Sequence, residues 1–355
     1  MAGGEGTRLW PLSTKAKPKQ FFDITGVGKS LIRQTFERFN NFIPTQNIII
    51  VTANSYINLV KKEIPELPID NILGEPYVRD TSPAIAYATY SLLKRDPDAT
   101  MVVSPADILI ENEDAFKEAI LSCLEYAAKG DNIVTLGVKA TRPEKNFGYI
   151  QVNNISEHSE TSKFIPIKTF IEKPAEELAQ VLISTGEFFW NSGLYVWTAK
   201  TIKSELETHL PELAQLFNKW DEYIGTEKEV DFINSVYSGC IKSSISYGVL
   251  EKTSKAYFHL SHFGWIDIGS WSSINQVYSS NDSNNNACNS KFNILNNSTD
   301  NLIISKDEKK LIFVQDLSEY MIIDTDKALV ICPRSNKNYQ GILDESRLPE
   351  LKEYR

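Results

Sequence analysis

The sequence predicts an α/β protein: a doubly wound, mostly parallel sheet followed by a small β-rich C-terminal domain. Two patterns carry this prediction. Up to residue 138, short apolar runs alternate with amphipathic segments of helical length, the pattern of strands joined by crossover helices. Beyond a Ser/Asn/Asp-rich stretch at 279–290, short apolar runs recur at roughly ten-residue spacing, the pattern of a small all-β unit. A chain of 355 residues has room for one large domain and a smaller one. The expected boundaries are 1–280 and 281–355.

Each element has its own signal. Residues 29–43 read as a helix with Leu31, Ile32, Phe36 and Phe39 on one face. Ile48-Ile49-Ile50-Val51 is a fully apolar strand, followed by a helix around 56–64. Ile72-Leu73 is a short strand leading into Gly74-Glu75-Pro76. Residues 82–95 form a helix with Pro83 in its tolerant first turn. Met101-Val102-Val103 is a strand that runs into Ser104-Pro105-Ala106-Asp107. A helix over 114–128 precedes the strand Ile133-Val134-Thr135-Leu136-Gly137-Val138. After residue 145 the rhythm changes. Phe147-Gly148-Tyr149-Ile150-Gln151-Val152 and residues 167–172 read as antiparallel strands about a polar tip at 156–162. A helix near 175–184, a strand ending in Leu194-Tyr195-Val196-Trp197 and an acidic helical stretch over 201–237 follow. Residues 301–305, 311–315, 320–325 and 328–332 are the short C-terminal strands. The tail past Pro333 reads as a turn and a short helix without chemistry.

Composition narrows the function. Hydrophobic residues make up 42% and charged residues 23%, as in an ordinary globular protein. A net charge of −9 argues against a nucleic-acid polymer as partner, but leaves a mononucleotide open, since that needs only a local cluster of cations. Cys123, Cys240, Cys288 and Cys332 are far apart and form no Cys-x-x-Cys pair, so they read as reduced cysteines of a cytoplasmic protein. No apolar run is long enough to span a bilayer, so no membrane partner is expected. The four histidines show no metal-ligand spacing.

The richest stretch is the first one. Gly3, Gly4 and Gly6 allow backbone conformations and close approaches that a Cβ would block. Successive N–H groups in such a turn form a nest for an anion. Arg8, Lys15, Lys17 and Lys19 follow, with no acid between Arg8 and Lys19. A glycine turn backed by fixed cations suits a polyphosphate. By itself, a short glycine pattern is equally compatible with a flexible, solvated start. The longer pattern is more specific. Gly3-Gly4-x-Gly6-Thr7-Arg8-Leu9-Trp10-Pro11-Leu12-Ser13, with Pro18-Lys19-Gln20-Phe21 behind it, resembles the opening loop of the sugar-1-phosphate nucleotidyltransferases. The Trp-Pro-Leu-Ser version resembles their mannose-1-phosphate guanylyltransferase branch. It is neither a Walker A loop nor the dinucleotide Gly-x-Gly-x-x-Gly.

The resemblance implies a Rossmann-like nucleotidyltransferase sheet, with the C-terminal strands wound as a short left-handed β-helix. It implies that Gly3, Gly4, Gly6 and Thr7 wrap the nucleotide triphosphate, with Arg8 and Lys19 neutralising phosphate. A phosphate loop of this kind should leave the carboxyl end of a strand. Only Met1 and Ala2 precede it here, so the native polypeptide is expected to extend further at its N-terminus.

Six further motifs stand in the family's order over residues 2–335. Asp107, after Met101-Val102-Val103, and Asp267, in Gly264-Trp265-Ile266-Asp267-Ile268-Gly269-Ser270-Trp271, match the pair of aspartates that holds Mg²⁺. Either alone is more often a turn or cap residue. The family places His after the first of them, where this chain has Ile108. Glu75, Arg79, Asp80 and Thr81 lie in a segment resembling the base-reading loop, although the family carries Asn where this chain has Asp80. Asp80, Thr81 and Ser82 equally suit the start of the next helix. Phe170-Ile171-Glu172-Lys173-Pro174 resembles the sugar-phosphate segment: Lys173 would meet the phosphate and Glu172 the hydroxyls. Gly148 and Asn191, in Trp190-Asn191-Ser192-Gly193, would complete the hexose pocket. Lys252, in Ser246-Tyr247-Gly248-Val249-Leu250-Glu251-Lys252, would be a second cation there.

The activity implied is GTP plus mannose 1-phosphate to GDP-mannose and pyrophosphate, with Mg²⁺ as cofactor; a homodimer is left open. Two other readings stay open: a nucleotidyltransferase for another base or hexose, and a non-catalytic paralogue that binds nucleotide sugars. Retention of Arg8, Lys19, Asp107, Lys173 and Asp267 argues against the second.

Overall fold

The computed structural model describes residues 1–152, 163–278, 283–334 and 336–354, without the side chains of 336–338. The polar tip expected at 156–162 and the boundary expected between 280 and 281 lie outside them. The strands in chain order are β1 (Ile50–Ala53), β2 (Ile72–Glu75), β3 (Thr100–Val103), β4 (Ile108–Ile110), β5 (Ile133–Lys139), β6 (Gly148–Val152), β7 (Ile165–Glu172), β8 (Phe188–Thr198), β9 (Ala256–Leu260), β10 (Trp265–Asp267), β11 (Ala287–Cys288), β12 (Asn293–Asn296), β13 (Leu302–Ser305), β14 (Ile312–Gln315), β15 (Tyr320–Asp324) and β16 (Leu329–Pro333). The chain forms two compact units that interleave in sequence. The first is Met1–Gly3, Phe36–Ala106 and Ile110–Trp265; the second is Gly4–Thr35, Asp107–Leu109 and Ile266–Arg355.

In the first unit β1 and β2 pair in parallel, ending with Ala53 opposite Glu75. A six-stranded sheet runs in the order β3-β8-β5-β9-β7-β6. Within it β5–β9 is parallel, whereas β3–β8, β5–β8, β6–β7, β6–β8 and β7–β9 are antiparallel. The sheet is therefore mixed, and the expectation of a mostly parallel one is corrected. The reason is topological. The long strand β8 inserts between β3 and β5, separating strands whose local rhythm suggests parallel neighbours.

Residues 1–3 stand where a strand ahead of the glycine turn is expected. Ala2 N–H donates to the Val51 carbonyl at 2.7 Å, and Thr52 Oγ1 donates to the Ala2 carbonyl at 2.9 Å. On the other side Ala106 N–H donates to the Met1 carbonyl at 3.0 Å, and the Met1 ammonium donates to the Ser104 carbonyl at 2.8 Å. These residues link β1 to the segment that leaves β3.

The core of this unit includes the helix Thr81–Arg95, whose buried Ala84, Ala86 and Ala88 belong to one apolar cluster with Leu73, Val51, Trp197 and Phe217. Each large side chain buried this way contributes about 1.5–3 kcal/mol. The single helical stretch expected over 201–237 is four helices, Ala199–His209, Pro211–Leu216, Trp220–Tyr223 and Glu229–Gly239. Pro211 has no N–H to continue the first and starts the second.

β4 pairs with β10. The C-terminal strands stack as parallel coils: β11-β13-β15 form one ladder, closed by antiparallel β16, and β12–β14 another. Asn293 lies opposite Ile312 and Leu302 opposite Met321, the same step along the chain in each case. The coil corners use Asn297, Asp300, Asp316 and Glu319 at positive φ, a conformation Asn and Asp tolerate well. Asn297 Nδ2 donates to Asp316 Oδ1 at 2.6 Å, tying one corner to the next. The core runs from Leu302, Ile304, Met321 and Ile323 through Trp271 to Leu9 and Leu12, and includes Tyr339 and Leu343 of the tail.

Candidate active site

In the second unit the glycine turn is cornered by Gly6, at φ +62°. A Cβ there would stand 2.6 Å from Ser13 Oγ and 2.9 Å from Lys19 Cγ, so the corner must be glycine. Ser13 Oγ donates to the Glu5 carbonyl at 2.8 Å and accepts from Lys19 N–H at 2.9 Å. Gln20 Nε2 donates to the Gly4 carbonyl at 3.0 Å. The second half of the motif thus pins the first. Thr7 and the exposed Arg8 lie on the short 3₁₀ turn Thr7–Leu9, anchored by fully buried Leu9. Among the described residues beyond its chain neighbours, no heavy atom lies within 4 Å of the Cβ position of Gly4, leaving that face open.

Lys19 Nζ lies 2.6 Å from Asp107 Oδ2, with the two side chains 9% and 23% exposed, and also donates to the Ile268 carbonyl. Ile268 N–H in turn donates to the Asp107 carbonyl at 3.3 Å. Asp107 and Asp267 are thereby carried on paired segments. A Cβ on Gly269 would stand 2.5 Å from Asp267 Oδ2 and 3.1 Å from Arg8 Nη2, so this glycine lets guanidinium and carboxylate approach one point. The second unit brings Arg8, Lys19, Asp107 and Asp267 together. Among the described residues no group of three or more His, Cys, Asp and Glu side chains gathers as a metal cage. Two half-exposed aspartates are a hard oxygen donor set of the size Mg²⁺ takes from protein, with phosphate and water completing its octahedron.

In the first unit Glu75 closes β2 with only 4% exposure, and the Tyr237 hydroxyl donates to its Oε1 at 3.0 Å. Burial pushes the Glu75 carboxyl up to about 7, against the stabilising Tyr237 hydrogen bond. Asp80, at φ +71°, accepts from Thr81 N–H at 2.8 Å and caps the helix Thr81–Arg95. Thr81 Oγ1 accepts from Ile245 N–H at 2.8 Å. Both side chains are engaged by the fold. Arg79 lies against the Tyr77 ring at 5.5 Å, and its Nε is buried without a hydrogen-bond partner among the described residues.

On the sugar side Gly148 pairs with Glu172, and a Cβ on Gly148 would stand 2.8 Å from Glu172 Oε2. Lys173 is held at φ +48°, with its N–H donating to the Phe147 carbonyl at 3.2 Å. Its side chain, 59% exposed, pairs with Glu172 Oε1 at 2.9 Å. Non-glycine residues rarely adopt this conformation, and those that do concentrate at functional sites. Glu172 N–H donates to Glu251 Oε1 at 3.3 Å, which brings the Glu251-Lys252 segment to Glu172-Lys173. Lys252 Nζ lies 5.8 Å from the Tyr247 ring, beside the π-helical turn Ser246–Leu250. Asn191 sits where β8 bulges against β5, a device that re-aims side chains. Its Nδ2 donates to Tyr195 Oη at 2.7 Å, and its Oδ1 accepts from Thr135 Oγ1 and Gly193 N–H at 3.1 and 3.2 Å. Among the described residues Nδ2 makes no second donation.

Several participants carry no readable sequence signal. Tyr237 lies outside every motif. The tail, expected to carry no chemistry, holds the loop: Trp10 Nε1 donates to the Tyr354 carbonyl at 2.7 Å, and Tyr339 Oη donates to the Trp10 carbonyl. Tyr339 also packs edge-on against Trp271. The large aromatic Trp10 within the loop was the available hint.

A family model for nucleotidyl transferases matches residues 1–283. The chain belongs to that family and is an enzyme of the nucleotidyltransferase type. Among its relatives, the mannose-1-phosphate guanylyltransferase of Escherichia coli (strain K12) is 30% identical over 94% of this chain and 70% of its own length. The alginate biosynthesis protein AlgA of Pseudomonas aeruginosa is 32% identical over 93% of this chain and 68% of its own. A crystal structure from Thermus thermophilus, named as a mannose-1-phosphate geranyltransferase, superposes with a TM-score of 0.85 at 26% identity, covering 98% of this chain and 97% of that one.

Proposed function

We propose that this chain is a mannose-1-phosphate guanylyltransferase, making GDP-mannose and pyrophosphate from GTP and α-D-mannose 1-phosphate. The observation that carries the reading is the Lys19–Asp107 ion pair, which joins the glycine loop to an aspartate of the metal pair. The names of its relatives point the same way.

In this reading Arg8 and Lys19 hold the departing pyrophosphate, and Lys173 holds the phosphate that attacks. Lys19 exchanges part of its interaction with Asp107 for phosphate oxygens. Arg79, with its unpaired buried Nε, adds a cation on the nucleotide side. Asp107 and Asp267 would hold Mg²⁺, which when bound supplies Lewis-acid stabilisation of charge on the α-phosphate. The attacking oxygen is already anionic, so no protein nucleophile is needed, and the residues contribute positioning and charge. Glu75 serves the base, and Glu172, Gly148, Asn191 and Lys252 serve the hexose.

A functional boundary at 280/281, a left-handed course of the C-terminal coils and a cytoplasmic location belong to the same proposal. The location rests on the buried cysteines Cys123, Cys240 and Cys332, which form no disulfide among the described residues. No helix among the described residues is long and apolar enough to cross a membrane. A panel of nucleoside triphosphates and hexose 1-phosphates, read by pyrophosphate release, tests the substrate assignment. GTP with mannose 1-phosphate should be turned over fastest; preference for another pair would replace it.

A further inference from the structure

We propose that Tyr237 is a positioning residue for base recognition: its hydroxyl fixes Glu75 so that the second carboxylate oxygen faces the N1–H and 2-amino donors of guanine. The inference rests on the reading above that Glu75 serves the base.

Glu75 ends β2, beside the end of its parallel neighbour β1. Ligands of α/β sheets gather at the carboxyl ends of parallel strands. The side chain is almost closed off from water, and among the described residues its carboxyl receives one hydrogen bond, from Tyr237 to Oε1. Oε2 has none. It lies 2.9 Å from where a Cβ on Gly3 would stand, so only a glycine leaves it room. Oε2 is not one of the fully buried unpartnered oxygens, so it remains open to a donor from a ligand while the rest of the side chain is enclosed. Guanine offers two adjacent donors on its Watson–Crick edge, whereas adenine presents an acceptor at N1. A carboxylate therefore favours guanine and leaves adenine with two acceptors opposed.

Tyr237 suits the orienting role because it has no freedom. It is fully buried on the helix Glu229–Gly239, with its ring in the core cluster. Hydrogen bonding to the ionised carboxyl favours the form that can accept from the base. The other groups that act on this pair are the Met1 ammonium and Asp80 on Glu75, and Cys240 and Tyr87 on Tyr237. Arg79 acts on Cys240. Among the described residues, the Tyr237 hydroxyl alone makes a direct hydrogen bond to the Glu75 carboxyl.

The test compares wild type, Tyr237→Phe, Glu75→Gln and the double variant, with GTP and with inosine triphosphate, which lacks the 2-amino group. Phenylalanine keeps the ring volume, and circular dichroism checks the fold. Tyr237→Phe should lower kcat/KM for GTP about tenfold, mostly through KM. It should shrink the GTP-over-inosine preference and move the acid limb of the pH profile to higher pH. KM for the sugar phosphate should not change. The double variant should match Glu75→Gln, because Tyr237 acts through Glu75. It also removes the buried charge, so it reports even if Tyr237→Phe alone folds poorly. If Glu75→Gln leaves the nucleotide preference at its wild-type value, the base role of Glu75 fails. If Glu75→Gln abolishes the preference while Tyr237→Phe leaves preference and pH limb in place, or if the double variant is additively worse, the positioning role fails.

Discussion

Replacing Lys19 by methionine removes a cation whose side chain is 9% exposed and 2.6 Å from Asp107. Methionine fills similar volume, so packing changes little. What is lost is the charge that compensates Asp107 and the donor to the Ile268 carbonyl. Breaking one side of a buried pair costs about 3–5 kcal/mol. Asp107 keeps 23% exposure, and water moderates its isolated charge, so the cost falls below that range, to about 2–3 kcal/mol. Asp107→Asn should cost less, about 1–2 kcal/mol, because Lys19 keeps the Ile268 carbonyl and an amide oxygen. With both replaced, no stranded charge remains, and the double variant should fall short of the summed losses by about 2 kcal/mol. Urea unfolding of the four proteins at pH 7, without nucleotide or divalent metal, measures this coupling, provided the slopes agree. Losses that add within about 0.5 kcal/mol would show that the two side chains are neighbours without energetic partnership. The join between glycine loop and aspartate would then lose its support.

Lys173→Ala should raise KM for the sugar phosphate roughly tenfold and leave KM for GTP unchanged; the 59% exposure of Lys173 makes this smaller than the loss of a buried phosphate partner. Asp267→Asn should nearly abolish turnover while the melting temperature holds, with added Mg²⁺ recovering part of the rate; early melting with near-normal kcat would make Asp267 a turn residue. Tyr339→Phe, which frees the Trp10 carbonyl, should lower kcat/KM for GTP about fivefold and spare KM for the sugar phosphate, as steady-state kinetics can show. Glu75 is raised from 4.5 to about 7, so its contribution is fully present below about 4.5 and lost as pH rises through 7. Glu75→Gln should therefore gain about 1–3 kcal/mol over wild type at pH 8 and little at pH 4, read from urea unfolding at both.

The sequence shows the loop because its glycines and cations are contiguous, and it places Asp107 because a buried apolar run leads straight to it. It does not show that Lys19 turns back onto Asp107, since that pairing depends on how β4 and β10 meet. The mixed sheet is hidden for a similar reason. Apolar rhythm reports that β8 is a strand, but not that it inserts between β3 and β5. Asp80 and Thr81 illustrate a different limit: at a helix start the same side chains suit a cap and a ligand, and here both are engaged by the fold. Tyr237 and Tyr339 look like core aromatics in sequence, and only their hydroxyl partners reveal more. The coil corners at Asn297 and Asp316 read as generic turns until their ladder is seen.

The most direct measurement follows the α-phosphorus itself. GTP labelled at that atom is incubated with mannose 1-phosphate, Mg²⁺ and the protein, and all products are separated and quantified over one turnover. The account predicts the label in GDP-mannose, with one pyrophosphate released per labelled product and no reaction when the sugar phosphate is omitted. Label recovered in GMP or in protein, or unreacted GTP despite native fold and bound nucleotide, would contradict it.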